Sequence, residues 1–258
     1  FMSYTTSLRG ISYGRIKEKV TEFIREEVRN KKAVIGLSGG IDSSLTAYLA
    51  TISLGKEKVL GLIMPDSSST PYEDIRDALT LASWLGISYR MMHIDRIISS
   101  YLAGFDFTDK KALGNLKARI RMSILYYFAN ANDAIVIGTG DKSEIYLGYF
   151  TKYGDGGVDI LPIGDVYKTE VRELSVHYGL PESITKKESS PRLWPGQTAE
   201  EELGITYEVA DRILYELIDV KVSEQELIKK WGKSGERVLE LVKTSEHKRK
   251  TPPIALLT

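Results

Sequence analysis

The sequence predicts an α/β protein: a doubly wound, mostly parallel five-stranded sheet with helices on both faces and a helical C-terminal part. Two observations support this prediction. Short apolar runs typical of buried strands alternate with longer stretches whose apolar residues recur at helical spacing. Such alternation favours a parallel sheet, because each helix returns the chain to the same edge. The predicted strands are 33–37, 59–65, 87–94, 134–138 and 158–162.

Helical periodicity and helix-ending residues define the segments between and after these strands. The predicted helices are 13–28, one that follows the first strand and ends at Gly55, 71–85, 95–102, 110–132, a short one entered by the turn 139–144, the stretch beyond Tyr167 up to Lys186, 207–217, 223–231 and 236–244. An irregular stretch is expected around Phe105 to Phe107. A polar, proline-bearing segment from Lys186 to Gln197 interrupts the helical part, and a loop this long is usually functional or mobile.

Composition indicates a single domain over residues 2–258, with Phe1 ahead of Met2 interpreted as a residue added for expression. An apolar content of 42% is enough for a buried core. Lys plus Arg and Asp plus Glu both number 35, so net charge gives no reason to expect nucleic acid or an anionic membrane as a partner. The apolar runs are too short for a membrane helix and no signal peptide is recognisable, so we expect a cytoplasmic protein.

The chain contains no cysteine. Enzymes that take nitrogen from glutamine commonly use a cysteine nucleophile, and enzymes that thiolate nucleobases pass sulfur through a cysteine. Because this chain has no such residue, neither kind of chemistry can use a cysteine of its own.

The polar turn after the first strand has the composition of a phosphate-binding loop. Residues 38–44 (SGGIDSS) join a buried strand to a helical pattern, so the N–H groups at the helix start point towards an anion. A carboxylate in this cradle would repel phosphate unless a divalent cation lay between them, so we interpret Asp42 as a magnesium ligand. The loop is neither a Walker A motif nor GxGxxG. An ordinary strand-to-helix turn is the alternative interpretation.

Four further segments accompany this loop: 115–119 (NLKAR), 138–144 (GTGDKSE), 151–157 (TKYGDGG) and 246–249 (EHKR). With these motifs in the expected order, the chain resembles ammonia-dependent NAD synthetases from end to end. The first loop alone is shared with GMP synthetases, argininosuccinate synthetases and tRNA-modifying ATPases, whereas TKYGDGG and EHKR are more particular. The resemblance implies that ammonia amidates nicotinic acid adenine dinucleotide (deamido-NAD) through a nicotinate adenylate, while ATP yields AMP and pyrophosphate.

The resemblance also implies roles for residues at the ATP end of the site. Asp42 and Glu144 are the implied magnesium ligands, although Glu144 alone would be a helix-start carboxylate favoured by the helix dipole. Lys168 and Ser190 suit the pyrophosphate, although Lys168 alone would be a surface lysine, and Thr139 alone would be a helix cap. The implied ATP-binding residues are Gly36, Leu37, Ser38, Gly39, Gly40, Ile41, Asp42, Ser43, Thr139, Lys168 and Ser190.

The implied deamido-NAD-binding residues are Arg119, Lys152, Asp159, His247 and Lys248. Arginine and lysine suit a diphosphate, and Asp159 would accept a hydrogen bond from a ribose hydroxyl or orient Lys152. In the family, His247 and Lys248 reach the substrate from the partner subunit, so the resemblance implies a homodimer. Without it, this basic stretch would be a helix C-terminus that favours cations.

The implied catalytic residues are Asp42, Lys168 and Asp155. Asp155 is a candidate to take a proton from ammonium so that neutral ammonia attacks the adenylate. A turn aspartate between glycines is the alternative interpretation. We expect no N-terminal amidase domain of the kind that supplies ammonia from glutamine, so free ammonia is the expected nitrogen source unless a separate glutaminase docks.

Two other functions stay open at this point. A GMP-synthetase-type ATPase subunit would share the SGGIDSS loop, but it has no reason to carry TKYGDGG and EHKR. A non-catalytic ATP-binding module would need neither two metal-binding carboxylates nor a pyrophosphate-side lysine. Release of AMP from ATP distinguishes an adenylating enzyme from such a module.

Overall fold

The computed structural model describes residues 5–105 and 109–257, which fold around a four-stranded parallel sheet. The strands are β1 (Lys32–Gly36), β2 (Val59–Ile63), β3 (Ser88–Met91) and β4 (Ala134–Ile137). Their order across the sheet is β3-β2-β1-β4, and all three pairings are parallel. The chain therefore adds strands first to one side of β1 and then to the other. The switch point lies between β1 and β4, as is typical of doubly wound folds.

The prediction of a fifth strand is wrong. Residues 158–162 run beside β4 but make only one isolated parallel bridge, between Ile137 and Ile160. The Asp159 N–H donates to the Val136 carbonyl at 3.0 Å, while the Asp159 carboxylate accepts the Val136 N–H at 2.7 Å. In a continuous ladder the Val136 N–H would donate to a backbone carbonyl, but here the Asp159 side chain accepts it. The segment therefore borders the sheet without joining it as a strand.

Helices cover both faces of the sheet and extend beyond it. They are α1 (Tyr13–Val28), α2 (Ile41–Leu54), α3 (Tyr72–Leu85), α4 (Asp95–Leu102), α5 (Lys110–Ala131), α6 (Lys142–Leu147), α7 (Lys168–His177), α8 (Glu182–Thr185), α9 (Ala199–Leu203), α10 (Tyr207–Leu214), α11 (Glu224–Trp231) and α12 (Lys233–Thr244). One apolar core joins α1, α2, α3, α7 and α8 to the sheet, and a second joins α4 and α5 to its other face. A third core unites α6 with α9 to α12. The predicted α/β class with a helical C-terminal part is confirmed.

The remaining differences from the expected elements are local. Strand β3 is shorter than the predicted 87–94, and its four residues are exposed because it forms one edge of the sheet. Helix α9 was not expected, whereas α8 lies in the helical stretch expected between Tyr167 and Lys186; both are only about one turn long. The irregular stretch expected around Phe105 to Phe107 lies mostly outside the described residues. Within the described ranges, no helix is long and apolar enough to cross a membrane.

A buried ion pair joins the end of β2 to α5. The carboxylate of Asp66 and the ammonium of Lys117 are in contact, and each side chain is only 3% exposed. Asp66 also accepts hydrogen bonds from the Ser68 N–H at 3.0 Å and the Ser69 hydroxyl at 2.7 Å. Burial by itself raises the pKa of Asp66, but Lys117 and the serine donors outweigh it and lower this pKa to about 2. Lys117 also donates to the Leu193 carbonyl at 3.1 Å, which fixes the 186–197 segment to α5.

Replacing Asp66 by Asn is expected to lower the free energy of unfolding at pH 7 by about 3–5 kcal/mol, because Lys117 loses its counter-charge in a buried site. The folded-state pKa of Asp66 is depressed, so its contribution is present above the unfolded pKa of about 3.9. That contribution is lost as pH falls through about 4 towards about 2. Urea unfolding of the parent and of Asp66→Asn measures this effect. The difference between their free energies of unfolding should become smaller as the pH falls through this range.

Asp133→Asn is the matched control, since Asp133 pairs with Lys31 at the surface and is 84% exposed. This variant should unfold like the parent protein at every pH. If Asp66→Asn unfolds like the control at pH 7, the ion pair does not stabilise the fold.

Candidate active site

A cavity of about 810 Å³ opens at the carboxyl edge of the sheet. Its walls come from the ends of β1, β2 and β4, from α5, and from the loops 151–157 and 186–197. Ligands of doubly wound proteins bind at this edge, next to the point where the strand order reverses. The volume suits a nucleotide-sized ligand.

The predicted phosphate loop forms one wall of this cavity. Helix α2 begins with Gly40 as its N-cap, so no side chain caps its first N–H groups, which stay available to an anion. Gly39 has φ +78°, and a Cβ atom there would lie 2.2 Å from the Asp74 carbonyl oxygen, so only glycine fits. The Ser38 and Ser43 hydroxyls lie 3.0 Å apart and fix the turn. The loop is therefore a rigid cradle with its donors directed at the cavity.

Lys168, the first residue of α7, lies among three carboxylates from two other helices. Its Nζ atom is 2.6 Å from Asp42 Oδ2 on α2. It is 2.9 Å from both the Asp141 carboxylate, at the N-cap of α6, and Glu144 Oε1. The lysine side chain is completely buried. The arrangement brings together the predicted residues Asp42, Glu144 and Lys168, and it adds Asp141, which the sequence analysis missed.

The charges of this cluster depend on one another. Burial by itself lowers the pKa of Lys168, but Asp141, Asp42 and Glu144 outweigh it and hold this pKa well above its ordinary value. Burial raises the pKa of Asp141, although Lys168 opposes that shift. Burial likewise raises the pKa of Glu144 to about 7. Lys168 is thus an internal cation that opposes the rise in the pKa of Asp141 and Glu144 but does not cancel the effect of burial.

The same carboxylates fit a divalent cation. One ligand atom from each of Asp42, Asp141 and Glu144 lies within 4.8 Å of the others. Asp42 Oδ1 is buried and has no hydrogen-bond partner in the described structure, and such an atom is a natural ligand for a hard cation that prefers oxygen. Asp141 also caps α6 by accepting the Glu144 N–H at 2.8 Å. The D-x-x-E spacing is already explained by a capping box at the start of α6, so no separate pattern indicated Asp141 as a third ligand.

A buried carboxylate on α10 fixes the helices that carry the cluster. Asp211 accepts hydrogen bonds from the Ser143 hydroxyl at 2.5 Å and from the Thr169 N–H at 2.8 Å. The Ser143 hydroxyl in turn accepts the Lys168 N–H at 2.8 Å. Asp211 thereby ties the start of α7 to α6. Sequence reasoning could not find this residue, since an isolated Asp in an amphipathic helix has no recognisable pattern.

Thr139 and Asp155 both line the cavity, as predicted for residues that meet ligands. Asp155 accepts the Thr151 N–H at 2.8 Å, which closes the glycine-rich turn. Burial raises the pKa of Asp155, while the Thr151 backbone and Lys248 oppose this shift. The carboxylate is thus both a turn residue and a group accessible from the cavity, so the two interpretations of Asp155 are compatible.

The residues predicted to bind deamido-NAD divide into three places. Lys248 lines the cavity and donates to the Gly148 and Phe150 carbonyls at 2.7 Å. Outside that lining, Arg119 Nη2 donates to the Lys152 carbonyl at 3.2 Å, and Lys152 Nζ lies 3.2 Å from His247 Nδ1.

Asp159 lies apart from Lys152. Its carboxylate accepts hydrogen bonds from the Tyr126 hydroxyl at 2.9 Å and the Val136 N–H at 2.7 Å. Lys152 lies beside His247 instead, so contact with a ribose hydroxyl is the role of Asp159 that stays a prediction. His247 and Lys248 also meet loop 148–152 of their own chain, whereas the family pattern implies contacts from a partner.

The 186–197 segment forms a wall of the cavity next to α5 and includes Ser190, whose hydroxyl donates to the Gln197 carbonyl. Lys187 connects this segment to the phosphate loop. Its Nζ atom donates to the Gly39 carbonyl at 2.9 Å and pairs with Asp74 at 2.8 Å and Asp77 at 2.6 Å. Sequence reasoning missed Lys187, because a lysine in a polar loop is ordinarily a solvent-exposed residue.

Comparison with known proteins identifies the family. The family model described as NAD synthase matches residues 15–252. The chain belongs to the NAD synthase family. An NH3-dependent NAD+ synthetase from Hyperthermus butylicus is 50% identical over 253 residues, which cover 95% of this chain and 92% of that protein.

Two solved structures extend the comparison within the NAD synthase fold. The NH3-dependent NAD synthetase from Campylobacter jejuni is 33% identical, with a TM-score of 0.82 over 95% of this chain and 100% of that one. The NMN synthetase from Francisella tularensis is 35% identical, with a TM-score of 0.84 over 95% and 99%. The described fold is therefore shared by enzymes whose names refer to different products.

Replacing Lys168 by Met is expected to increase the affinity for Mn²⁺ in the absence of ATP by about tenfold or more, because the ammonium no longer competes for three carboxylates. Electron paramagnetic resonance of free Mn²⁺ measures this affinity at pH 8. Added Mn²⁺ should also raise the melting temperature of the variant more than that of the parent.

Lys142→Met is the matched control, since Lys142 is equally buried but pairs with Asp165 and Asp219 instead. Its Mn²⁺ affinity should equal that of the parent. Unchanged or weaker Mn²⁺ binding by Lys168→Met would show that the lysine does not compete with a metal ion.

Proposed function

We propose that this chain is an ammonia-dependent NAD synthetase, which converts deamido-NAD, ATP and ammonia into NAD, AMP and pyrophosphate. The observation that carries the proposal is the position of Lys168 and three carboxylates beside an uncapped helix start. Such a site suits the cutting of ATP between its α and β phosphates. The high identity to NH3-dependent NAD+ synthetases supports ammonia as the nitrogen donor.

In this proposal the residues 36–43 and the start of α2 bind the ATP phosphates through backbone N–H groups and serine hydroxyls. Lys168 stabilises negative charge on the pyrophosphate as it leaves. Thr139 and Ser190 contribute further polar contacts from the opposite walls. Binding in this geometry brings the nicotinate carboxylate in line with the α-phosphorus, so alignment supplies much of the rate enhancement.

We propose Mg²⁺ as the metal, held by Asp42 and Glu144 with Asp141 as a third oxygen donor. When bound, the metal would neutralise negative charge on the phosphates of ATP. The buried and unpartnered Asp42 Oδ1 supports this assignment.

Deamido-NAD would bind across the cavity mouth. Arg119, Lys152 and His247 form a basic group outside the cavity lining, which suits a diphosphate, and Lys248 reaches the interior. A mononucleotide has no second nucleoside that could extend from the cavity to this outer basic group. The similarity to an NMN synthetase makes nicotinic acid mononucleotide the second candidate acceptor.

We also propose that the enzyme is a homodimer. This proposal comes from the family resemblance. The contacts that His247 and Lys248 make within one chain are compatible with both a monomer and a dimer. Sedimentation equilibrium tests it directly. The cytoplasmic location stays a prediction.

The first experiment incubates the protein with ATP, magnesium and deamido-NAD, with and without ammonium, and follows AMP and NAD together. Equimolar AMP and NAD that depend on ammonium are expected. Parallel reactions with nicotinic acid mononucleotide should be at least tenfold slower, because the outer basic group then binds nothing. AMP without NAD, or equal turnover of the mononucleotide, would contradict the assignment of the substrate.

Replacing Asp155 by Asn is expected to lower NAD formation most at neutral pH and least at high pH, where free ammonia no longer needs a base. Rates measured from pH 7 to pH 9.5 at constant total ammonium test this. The exposed Asp133→Asn serves as control and should follow the parent profile. A uniform loss at every pH, with normal adenylate formation, would assign Asp155 to the structure of the loop alone.

A further inference from the structure

One positively charged side chain of the cavity has no role in the proposed mechanism. Arg121 lies on α5, and its side chain lines the cavity. Its Nε atom donates to the Met64 carbonyl at 2.9 Å, just beyond the end of β2. Among the described residues this is the one hydrogen bond of the guanidinium, so both Nη atoms are left without a partner.

The charge of Arg121 is also incompletely compensated. Burial lowers the pKa of its guanidinium, and the nearest carboxylates, Asp66 and Asp155, only partly oppose this shift. Asp66 is already paired with Lys117, and Asp155 accepts the Thr151 N–H. No ion pair between Arg121 and a carboxylate occurs in the described parts of the chain. The Arg121 side chain is half-buried and lines the cavity, so its unpaired Nη atoms are suited to an anion that enters the cavity from outside the protein.

The position of Arg121 limits which anion this is. Asp155, the candidate base for ammonium, lines the same cavity and is close enough to act on the charge of Arg121. The phosphate loop and the Lys168 cluster lie at the carboxyl end of β1. In the proposed reaction a nicotinate oxygen forms a bond to the α-phosphorus while the bond to pyrophosphate breaks. The nicotinate carboxylate and the α-phosphate must therefore meet between Asp155 on one side and the phosphate loop with the Lys168 cluster on the other.

We propose that Arg121 is a substrate-binding residue whose two Nη atoms bind an oxyanion at the reacting centre. The planar guanidinium suits two parallel hydrogen bonds to a carboxylate or a phosphate. Two groups are candidates for this oxyanion: the α-phosphate of ATP and the carboxylate of deamido-NAD. Their identification rests on the proposed function. Fixation by Met64 holds the guanidinium in one orientation before the ligand binds.

Equilibrium binding tests the proposal without turnover. Isothermal titration calorimetry measures ATP with magnesium, and separately deamido-NAD, on the parent protein, Arg121→Ala and Arg121→Lys. The alanine variant is expected to bind one ligand on the order of 10- to 100-fold more weakly. The lysine variant should lose less, since it keeps the charge but not the fork. Weakened ATP binding assigns the oxyanion to the α-phosphate, whereas weakened deamido-NAD binding assigns it to the carboxylate.

Two controls separate binding from folding. Arg212→Ala removes an exposed arginine of α10 and should bind both ligands like the parent. Guanidinium at a low, non-denaturing concentration should restore affinity to Arg121→Ala and leave the parent unchanged. Affinities of Arg121→Ala within threefold of the parent for both ligands overturn the proposal. A loss that guanidinium does not restore, accompanied by a lowered melting temperature, also overturns it by assigning Arg121 to packing.

The test also stays separate from the proposed function. If the parent protein binds ATP but makes no NAD, the substrate assignment fails, while the comparison of ATP affinities still decides whether Arg121 binds its phosphate. If the parent makes NAD and Arg121→Ala binds both ligands normally, only the inference about Arg121 fails.

Discussion

The ammonium of Lys168, shared by Asp42, Asp141 and Glu144, is the interaction on which the site depends. Three carboxylates this close together in a buried place are mutually repulsive, and only a cation among them keeps the group compact. The lysine supplies that cation within the protein itself. In the proposed reaction, a metal ion and the phosphates of ATP would take over contacts that the ammonium makes here.

The surrounding architecture holds this cluster in place. The carboxyl ends of β1 and β4 deliver α2 and α6 to one point, because the strand order reverses between them. The C-terminal helices complete the arrangement, since Asp211 on α10 fixes the starts of α6 and α7. The Tyr207 ring lies 5.3 Å from Lys168 Nζ and excludes water from beneath it. The helical C-terminal part is therefore a support for the site.

Sequence reasoning reached the parts of this account that have local causes. Strand, loop and helix follow from the hydrophobic period, so the phosphate loop and most helices were predictable. The absence of the fifth strand was not predictable, because it depends on a hydrogen bond between the Asp159 carboxylate and the Val136 N–H of β4. The roles of Arg121 and Asp211 depend on contacts between distant segments, which no pattern within either segment reveals. The predicted roles of the deamido-NAD-binding residues came from family resemblance and stay predictions.

The central claim is that the phosphate loop and the Lys168 cluster act together to transfer the adenylyl group to a carboxylate before nitrogen enters. The most direct measurement is exchange of radiolabelled pyrophosphate into ATP in the absence of ammonium. Exchange is expected to require both deamido-NAD and magnesium, because adenylate formation is then the only reversible step available. Formation of NAD in the full reaction without any such exchange under these conditions would contradict it.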